Sequence, residues 1–301
     1  MKKNIFIKNL SNKNPTKDIT LDDRMNKLMI STSKKKITVD IGNGVVFGKK
    51  NIPIIAGPNG VESIKLMHQV AKCLKKNGLN IIRGHAYKPL TFPYRSKTYK
   101  ETQNQGMQWM DEIKKEHKLK IVTEVTELRY IERICKTADI LQIGSRNMQN
   151  LELLREVSKT KFPIILKRHF GSSLRDFLGA AEHILIEGNS KLILCERGVS
   201  IPHTHRDTSR FALDIQAIPA LKEICQYPII SDPSHASFWA PWVPSLTLAS
   251  IAAGCDGLII EMHTNPKKSA VDPLQPLNFK QFKELIKKSK KVAKSLDRKI
   301  S

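Results

Sequence analysis

Residues 54–59 read IIAGPN and residues 81–88 read IIRGHAYK. Each is a short apolar run that closes on polar or charged side chains. The pattern returns as IVTEV (121–125), LQIGSR (141–146), IILKRH (164–169), LILCER (192–197), IISDPSH (229–235) and LIIEMH (258–263). Apolar runs this short, bounded by turn signals, fit strands buried on both faces. Stretches long enough for helices lie between and after them, at 62–77, 104–118, 127–137, 149–159, 173–187, 214–226, 243–254 and 278–296. Strand–helix alternation repeated eight times argues an α/β fold, a (β/α)8 TIM barrel, over residues 50–297.

Outward from the first strand, residues 36–48 (KITVDIGNGVVFG) alternate and carry Gly-Asn-Gly, the signature of a β-hairpin. Such a hairpin is placed to plug the N-terminal mouth of the barrel. Residues 1–35 read as a basic polar tail, without the apolar stretch of a secretory signal. They are also too few and too polar for an added regulatory domain, so feedback inhibition by aromatic amino acids through such a domain is not expected. Three connections are long, at 89–103, 198–213 and 264–277, and all follow strands. They belong to the face where a barrel builds its site.

The chain has 301 residues, 40% of them hydrophobic, and a net charge of +23. No apolar run approaches the roughly 20 residues of a membrane helix. The five cysteines show no paired spacing and read as free thiols, which points to the cytoplasm. The charge admits a nucleic-acid partner. However, much of it is lysine spread over predicted helix surfaces and both ends, as in KKSKKVAKS (287–295), with no interleaved aromatics. A specific nucleic-acid partner is therefore not expected.

In a barrel the C-terminal strand ends converge on one volume. Here those ends carry Asn59, Arg83, Lys88, Arg146, Lys167, Arg168, Arg197, His235, Glu261 and His263. A single basic residue after a strand is ordinary surface charge. Lys88, Arg146, Lys167 and Arg197, after four different strands, instead predict a pocket for a small polyanion, with guanidinium forks and ammonium point charges for phosphate and carboxylate. Arg83 and Arg168 are candidates for orienting carboxylates such as Glu124 or Glu196.

The motifs AGPNGVES (56–63), RGHAYKP (83–89), VTEV (122–125), QIGSRNMQN (142–150), LKRHF (166–170), ILCERG (193–198), DPSH (232–235) and EMH (261–263) occur in order. Over about residues 40–297 the chain resembles class I 3-deoxy-D-arabino-heptulosonate 7-phosphate (DAHP) synthases, and most of all their short bacterial branch. These are related to the 3-deoxy-D-manno-octulosonate 8-phosphate synthases. The resemblance implies a transferase that condenses phosphoenolpyruvate with an aldose, by default erythrose 4-phosphate, and releases phosphate. It implies a cytoplasmic homo-oligomer, a tetramer, in the shikimate pathway of aromatic amino acid biosynthesis. By resemblance Lys88, Arg146, Lys167 and Arg197 hold phosphoenolpyruvate, with Arg83 and Thr91 as further substrate contacts.

Metal-dependent relatives bind a divalent ion through a cysteine, a histidine, a glutamate and an aspartate. The matching positions here are Asn59, His235, Glu261 and Asp272, which with Lys88 form the candidate catalytic set. Asn59 replaces the thiolate, and an amide is a poor ligand for borderline metals. The resemblance to metal-independent octulosonate synthases, which carry Asn there, suggests that no cofactor is required. A weak Mn2+ or Mg2+ site through His235, Glu261 and Asp272 is the alternative. The loop after the second strand also departs from the family. It reads KPLTF (88–92), with Leu90 and Phe92 where Arg and Ser are expected, and ASFWAPW (236–242) follows DPSH. These changes leave open a different, unphosphorylated or more apolar aldehyde. Loss of the cysteine and of the loop arginine also leaves open a non-catalytic phosphoenolpyruvate-binding barrel.

Overall fold

The structure is a computed structural model that describes residues 29–30, 35–89, 100–202 and 211–301. The chain enters the barrel through the expected hairpin. Gly42, Asn43 and Gly44 all take positive φ (82°, 55° and 74°), the turn chemistry that Gly-Asn-Gly supplies. Strands β1 (Val39–Asp40) and β2 (Val46–Phe47) therefore pair antiparallel, with Val39 opposite Phe47.

The eight apolar runs then form β3 (Ile54–Gly57), β4 (Ile81–Arg83), β5 (Lys120–Glu124), β6 (Ile140–Ile143), β7 (Ile164–Lys167), β8 (Leu192–Glu196), β9 (Ile229–Ser231) and β10 (Leu258–Glu261). Every neighbouring pair is parallel, and the ring closes where β10 bonds to β3 and β8 to β9. Eight helices alternate with them: α1 (Ile64–Lys76), α2 (Gln103–His117), α3 (Ile131–Cys135), α4 (Leu151–Lys159), α5 (Leu174–Leu185), α6 (Ala217–Ile224), α7 (Val243–Ala252) and α8 (Phe279–Ser295). This is the (β/α)8 barrel read from the sequence.

Local chemistry explains the helix starts. Ser63 accepts from the Leu66 N–H ahead of α1, and Ser173/Asp176 and Asn278/Gln281 form reciprocal capping boxes on α5 and α8. The third helix is shorter than its 127–137 pattern. No side chain caps it, and its first turn, Leu128–Tyr130, winds as a 3-10 turn before α3 begins.

Alternation along the strands sorts the core in two. Ile54, Ile82, Ile121, Leu141, Ile164, Leu192, Ile229 and Leu258 face outward and pack under the helices. Their neighbours Ile55, Ile81, Val122, Ile140, Ile165, Ile193, Ile230 and Ile259 face inward as one apolar layer. That layer would be open below, but Val39, Ile41, Val45 and Phe47 of the hairpin belong to the same cluster and close it. Phe47 is fully buried there, worth about 1.5–3 kcal/mol of apolar transfer.

Most of the tail read at 1–35 lies outside the described residues. Within it, Ile30 is 1% exposed in the main core, and Glu182 accepts the N–H groups of Met29 and Ile30 at 3.1 and 2.8 Å. All five cysteines are free, with Cys195, Cys225 and Cys255 buried and Cys73 and Cys135 half-buried.

Candidate active site

The same alternation builds the site. Two residues beyond each inward apolar residue stands the next inward position, one layer nearer the C-terminal mouth. After Ile55, Ile81, Val122, Ile140, Ile165, Ile193, Ile230 and Ile259 these are Gly57, Arg83, Glu124, Gln142, Lys167, Cys195, Asp232 and Glu261. Apart from Gly57 and Cys195, the apolar layer thus gives way in a single step to buried polar and charged groups. Gly57 is needed because a Cβ there would lie 2.1 Å from the Arg83 carbonyl oxygen.

Lys88, Arg146, Lys167 and Arg197 do converge. With Glu124, Gln142 and His235 they line one cavity of about 420 Å3. Lys167 is 4% exposed, and its Nζ donates to Asp232 at 2.5 Å. Lys88 donates to Glu124 at 2.7 Å. The Arg197 guanidinium lies over the Phe211 ring, 4.4 Å from its centroid, which fixes the plane of the fork. Arg168 bonds to Glu196 (3.0 Å), to Asp214 (2.9 Å) and to the Ser172 carbonyl. It thereby serves the carboxylate role considered for it and holds the segment that carries Arg197.

Arg83 departs from the sequence reading. It is fully buried, does not line the cavity, and orients no carboxylate by hydrogen bond among the described residues. Its Nη2 donates to Asn59 Oδ1 at 2.7 Å and lies 2.9 Å from His85 Nε2. His85 in turn accepts the Glu124 N–H on Nδ1. Burial first, then Arg83 and Lys88, holds the His85 pKa well below the usual imidazole range, so the ring is neutral. Leu90, Thr91 and Phe92 of the loop after β4 lie outside the described residues. Trp239 and Trp242 are described, and neither lines this cavity.

The second part of the site adjoins the first through His235. The short helix Pro233–Ser237 starts at Asp232, whose carboxylate accepts the His235 N–H at 3.1 Å and its Nδ1 at 2.9 Å. Burial opposes ionisation of Asp232, but His235 and Lys167 hold its carboxyl well below the usual range. Burial lowers the His235 pKa to about 4 although Asp232 opposes this, and Lys167 adds to the lowering. His235 is therefore a neutral ring with its Nδ1 proton on Asp232 and Nε2 turned to Glu261, 3.6 Å away. Glu261 is fully buried and accepts from Gln275 Nε2. Burial pushes its carboxyl up to about 8, with Arg83 opposing and Asp272 adding.

A divalent ion at His235, Glu261 and Asp272 would take its fourth donor from the Asn59 position or from water. Burial raises a working acid and a metal ligand stripped of its ion alike, so the donor set decides. Asn59 is 2% exposed, and its amide is oriented by both neighbours. Arg83 donates to Oδ1 at 2.7 Å, and Nδ2 donates to Asp272 at 3.0 Å. The arginine can face only the oxygen, so the group aimed at the acidic corner is an N–H donor. Asn59 therefore supplies a hydrogen-bond donor where the thiolate would supply a lone pair, and it does not fit the role of a metal ligand. The His235–Glu261–Asp272 trio is also looser than a tight ligand cluster. Among the described residues, the one trio of His, Cys, Asp or Glu with donor atoms all within 4.8 Å is His68, Glu116 and His117, on the outer helices. His263 lies outside the corner, 3.5 Å from Glu62.

Residues 30–298 match the model of the DAHP synthetase I family. The chain belongs to that family. It is 37% identical over 263 residues to the phospho-2-dehydro-3-deoxyheptonate aldolase of Thermotoga maritima, covering 87% of this chain and 76% of the relative. The crystal structure of that type of enzyme from Thermotoga maritima superposes with a TM-score of 0.85 at 35% identity, over 91% of this chain and 78% of the other. A truncated Thermotoga maritima 3-deoxy-D-arabino-heptulosonate 7-phosphate synthase superposes with a TM-score of 0.82, and there the match spans 98% of its length. The 2-dehydro-3-deoxyphosphooctonate aldolase of Fusobacterium nucleatum is more distant, at 26% identity over 268 residues. As a DAHP synthetase I member the chain is a transferase that condenses phosphoenolpyruvate with an aldose phosphate. No helix among the described residues is long and apolar enough to cross a membrane.

Sequence reading missed His85, Gln142, Asp232 and Gln275 as parts of the site. Gln142 and Asp232 were findable, because each stands two residues beyond an inward isoleucine. His85 and Gln275 lie past strand ends and carry no periodic signal.

Proposed function

We propose that this chain makes a 3-deoxyheptulosonate phosphate from phosphoenolpyruvate and erythrose 4-phosphate without a metal ion. The observation that carries the proposal is Asn59, clamped between Arg83 and Asp272 in the position of the metal-binding thiolate. The greater identity to the heptonate enzyme than to the octonate enzyme favours the four-carbon aldose.

Phosphoenolpyruvate occupies the basic cavity, where Arg146 and Arg197 offer forks and Lys88 and Lys167 offer single charges. Lys167 and Lys88 are already paired with Asp232 and Glu124, so the substrate meets them in fixed positions and little rearrangement is needed. The enol carbon attacks the aldehyde, and the new alkoxide takes a proton. Water adds to the oxocarbenium-like carbon and loses a proton, and phosphate leaves. One proton is thus delivered and one collected in each turnover. His235 lines the cavity with its neutral ring, and the protonated Glu261 carboxyl stands 3.6 Å from its Nε2, so the two form a relay in which His235 exchanges protons with the reactants and Glu261 supplies them from behind. Arg83 acts through Asn59 and His85 and is a positioning residue.

The test is phosphate release from phosphoenolpyruvate with a panel of erythrose 4-phosphate, arabinose 5-phosphate and unphosphorylated aldoses. Turnover is expected with erythrose 4-phosphate. Turnover only with another aldehyde would assign a different specificity to Leu90 and Phe92. Binding of phosphoenolpyruvate with no turnover would replace the enzyme by a binding barrel.

A further inference from the structure

A second cluster of chemistry-bearing side chains lies on the outside of the barrel, where α1 meets α2. His68 Nδ1 stands 3.1 Å from His117 Nε2. Glu116 Oε1 lies 3.7 Å from the first of these atoms and 3.4 Å from the second. The three atoms come from two helices, so no single helical turn produces the grouping. Their separations leave a point about 2 Å from all three, which is the Zn–N and Zn–O bond length. A triangle of these edges is one face of a tetrahedron around such an ion.

The other nitrogen of His68 supplies the second observation. Nε2 lies 3.3 Å from Glu112 Oε1, one turn before Glu116 on α2. A carboxylate there fixes the proton on Nε2 and leaves the Nδ1 lone pair facing His117 and Glu116. This carboxylate–histidine arrangement orients metal ligands in known sites. The side chains of His68 and His117 are 23% and 11% exposed, while that of Glu116 is 53% exposed. The fourth position therefore opens to water.

We propose that His68, His117 and Glu116 form a binding site for Zn2+ or a similar borderline divalent transition metal, oriented by Glu112 and clipping α1 to α2. Two imidazoles and one carboxylate suit zinc and disfavour Mg2+ and Ca2+, which prefer all-oxygen shells. The site is separate from the catalytic mouth and does not depend on how the active site works.

The test uses the metal-stripped full chain under a thiol-free reductant, titrated with Zn2+ by equilibrium dialysis and with Co2+ by visible absorbance. The wild type is expected to bind one more zinc than His68→Gln or His117→Gln, and to give tetrahedral cobalt bands that both variants lose. Glu112→Gln is expected to keep the stoichiometry and weaken binding about 10–100-fold. All three variants are expected to turn over phosphoenolpyruvate as the wild type does, which shows that they are folded. Equal zinc binding by the wild type and the His68→Gln/His117→Gln double variant, or no zinc bound by the wild type, would overturn the proposal.

Discussion

Replacing Glu261 by glutamine tests the electrostatics of the site through stability alone. The carboxyl is fully buried and pushed up to about 8. In the unfolded chain it titrates near 4.5. Between those values the folded protein holds a proton that the unfolded chain has released, so this group makes stability fall as pH rises. At about 1.36 kcal/mol per unit, the loss approaches roughly 5 kcal/mol once the pH passes 8, an upper bound. His235 acts in the opposite sense. Lowered to about 4 from 6.5, it is neutral when folded and protonated when unfolded across that interval. It makes stability rise with pH over the interval, by roughly 3 kcal/mol at most. The two slopes oppose each other below pH 6.5, and the Glu261 loss shows alone from there to pH 8.

Glutamine keeps the shape and the neutral state, so Glu261→Gln should match the wild type near pH 4.5. It should become progressively more stable than the wild type as pH rises, and level off above pH 8. Urea unfolding of both proteins in chelator, at half-unit steps from pH 4.5 to 9, measures the difference directly. A difference that does not change with pH would refute the reasoning, because it would mean that Glu261 is ionised in the folded protein throughout.

Three further outcomes follow from named contacts. Asp232→Asn leaves Lys167 buried without its counter-charge, and should cost about 3–5 kcal/mol in denaturant unfolding. Part of that loss should return when millimolar inorganic phosphate supplies an anion to the cavity. Gly144→Ala would place a Cβ 2.0 Å from Glu124 Oε1, displace the partner of Lys88, and cost about 1–3 kcal/mol. In steady-state kinetics its KM for phosphoenolpyruvate should rise more than its kcat falls, whereas an equal fall in kcat and kcat/KM would contradict the cradle role of Lys88. Phe47→Ala, at the bottom of the barrel, should lower stability by about 3–5 kcal/mol in the same unfolding assay. Its KM at low temperature should stay unchanged, because the plug is separated from the mouth by the apolar layer.

The barrel was legible because parallel strands buried on both faces leave uninterrupted apolar runs, and the eight runs here stand out from a lysine-rich background. The four cavity cations were legible for the same reason, since the fold makes every strand end a site position. Arg83 shows where that reasoning stops. It sits at a strand end in the same inward layer as Lys167, yet its guanidinium serves Asn59 and His85 while the Lys167 ammonium helps to line the cavity. Sequence position gives the element and the layer but not the partners that the side chain meets there. The neutrality of His235 and Glu261 was not legible at all, because it depends on burial and on charges from strands far apart in the chain. The zinc-competent group on α1 and α2 escaped for a similar reason, since its donors are 49 residues apart.

The central claim is that Asn59 stands in for a metal ligand as a hydrogen-bond donor. It is tested most directly by phosphoenolpyruvate-dependent phosphate release with erythrose 4-phosphate, using protein dialysed against EDTA and assayed in EDTA. The account predicts full turnover there and no stimulation by added Mn2+. Loss of turnover in EDTA, restored by Mn2+, would contradict it.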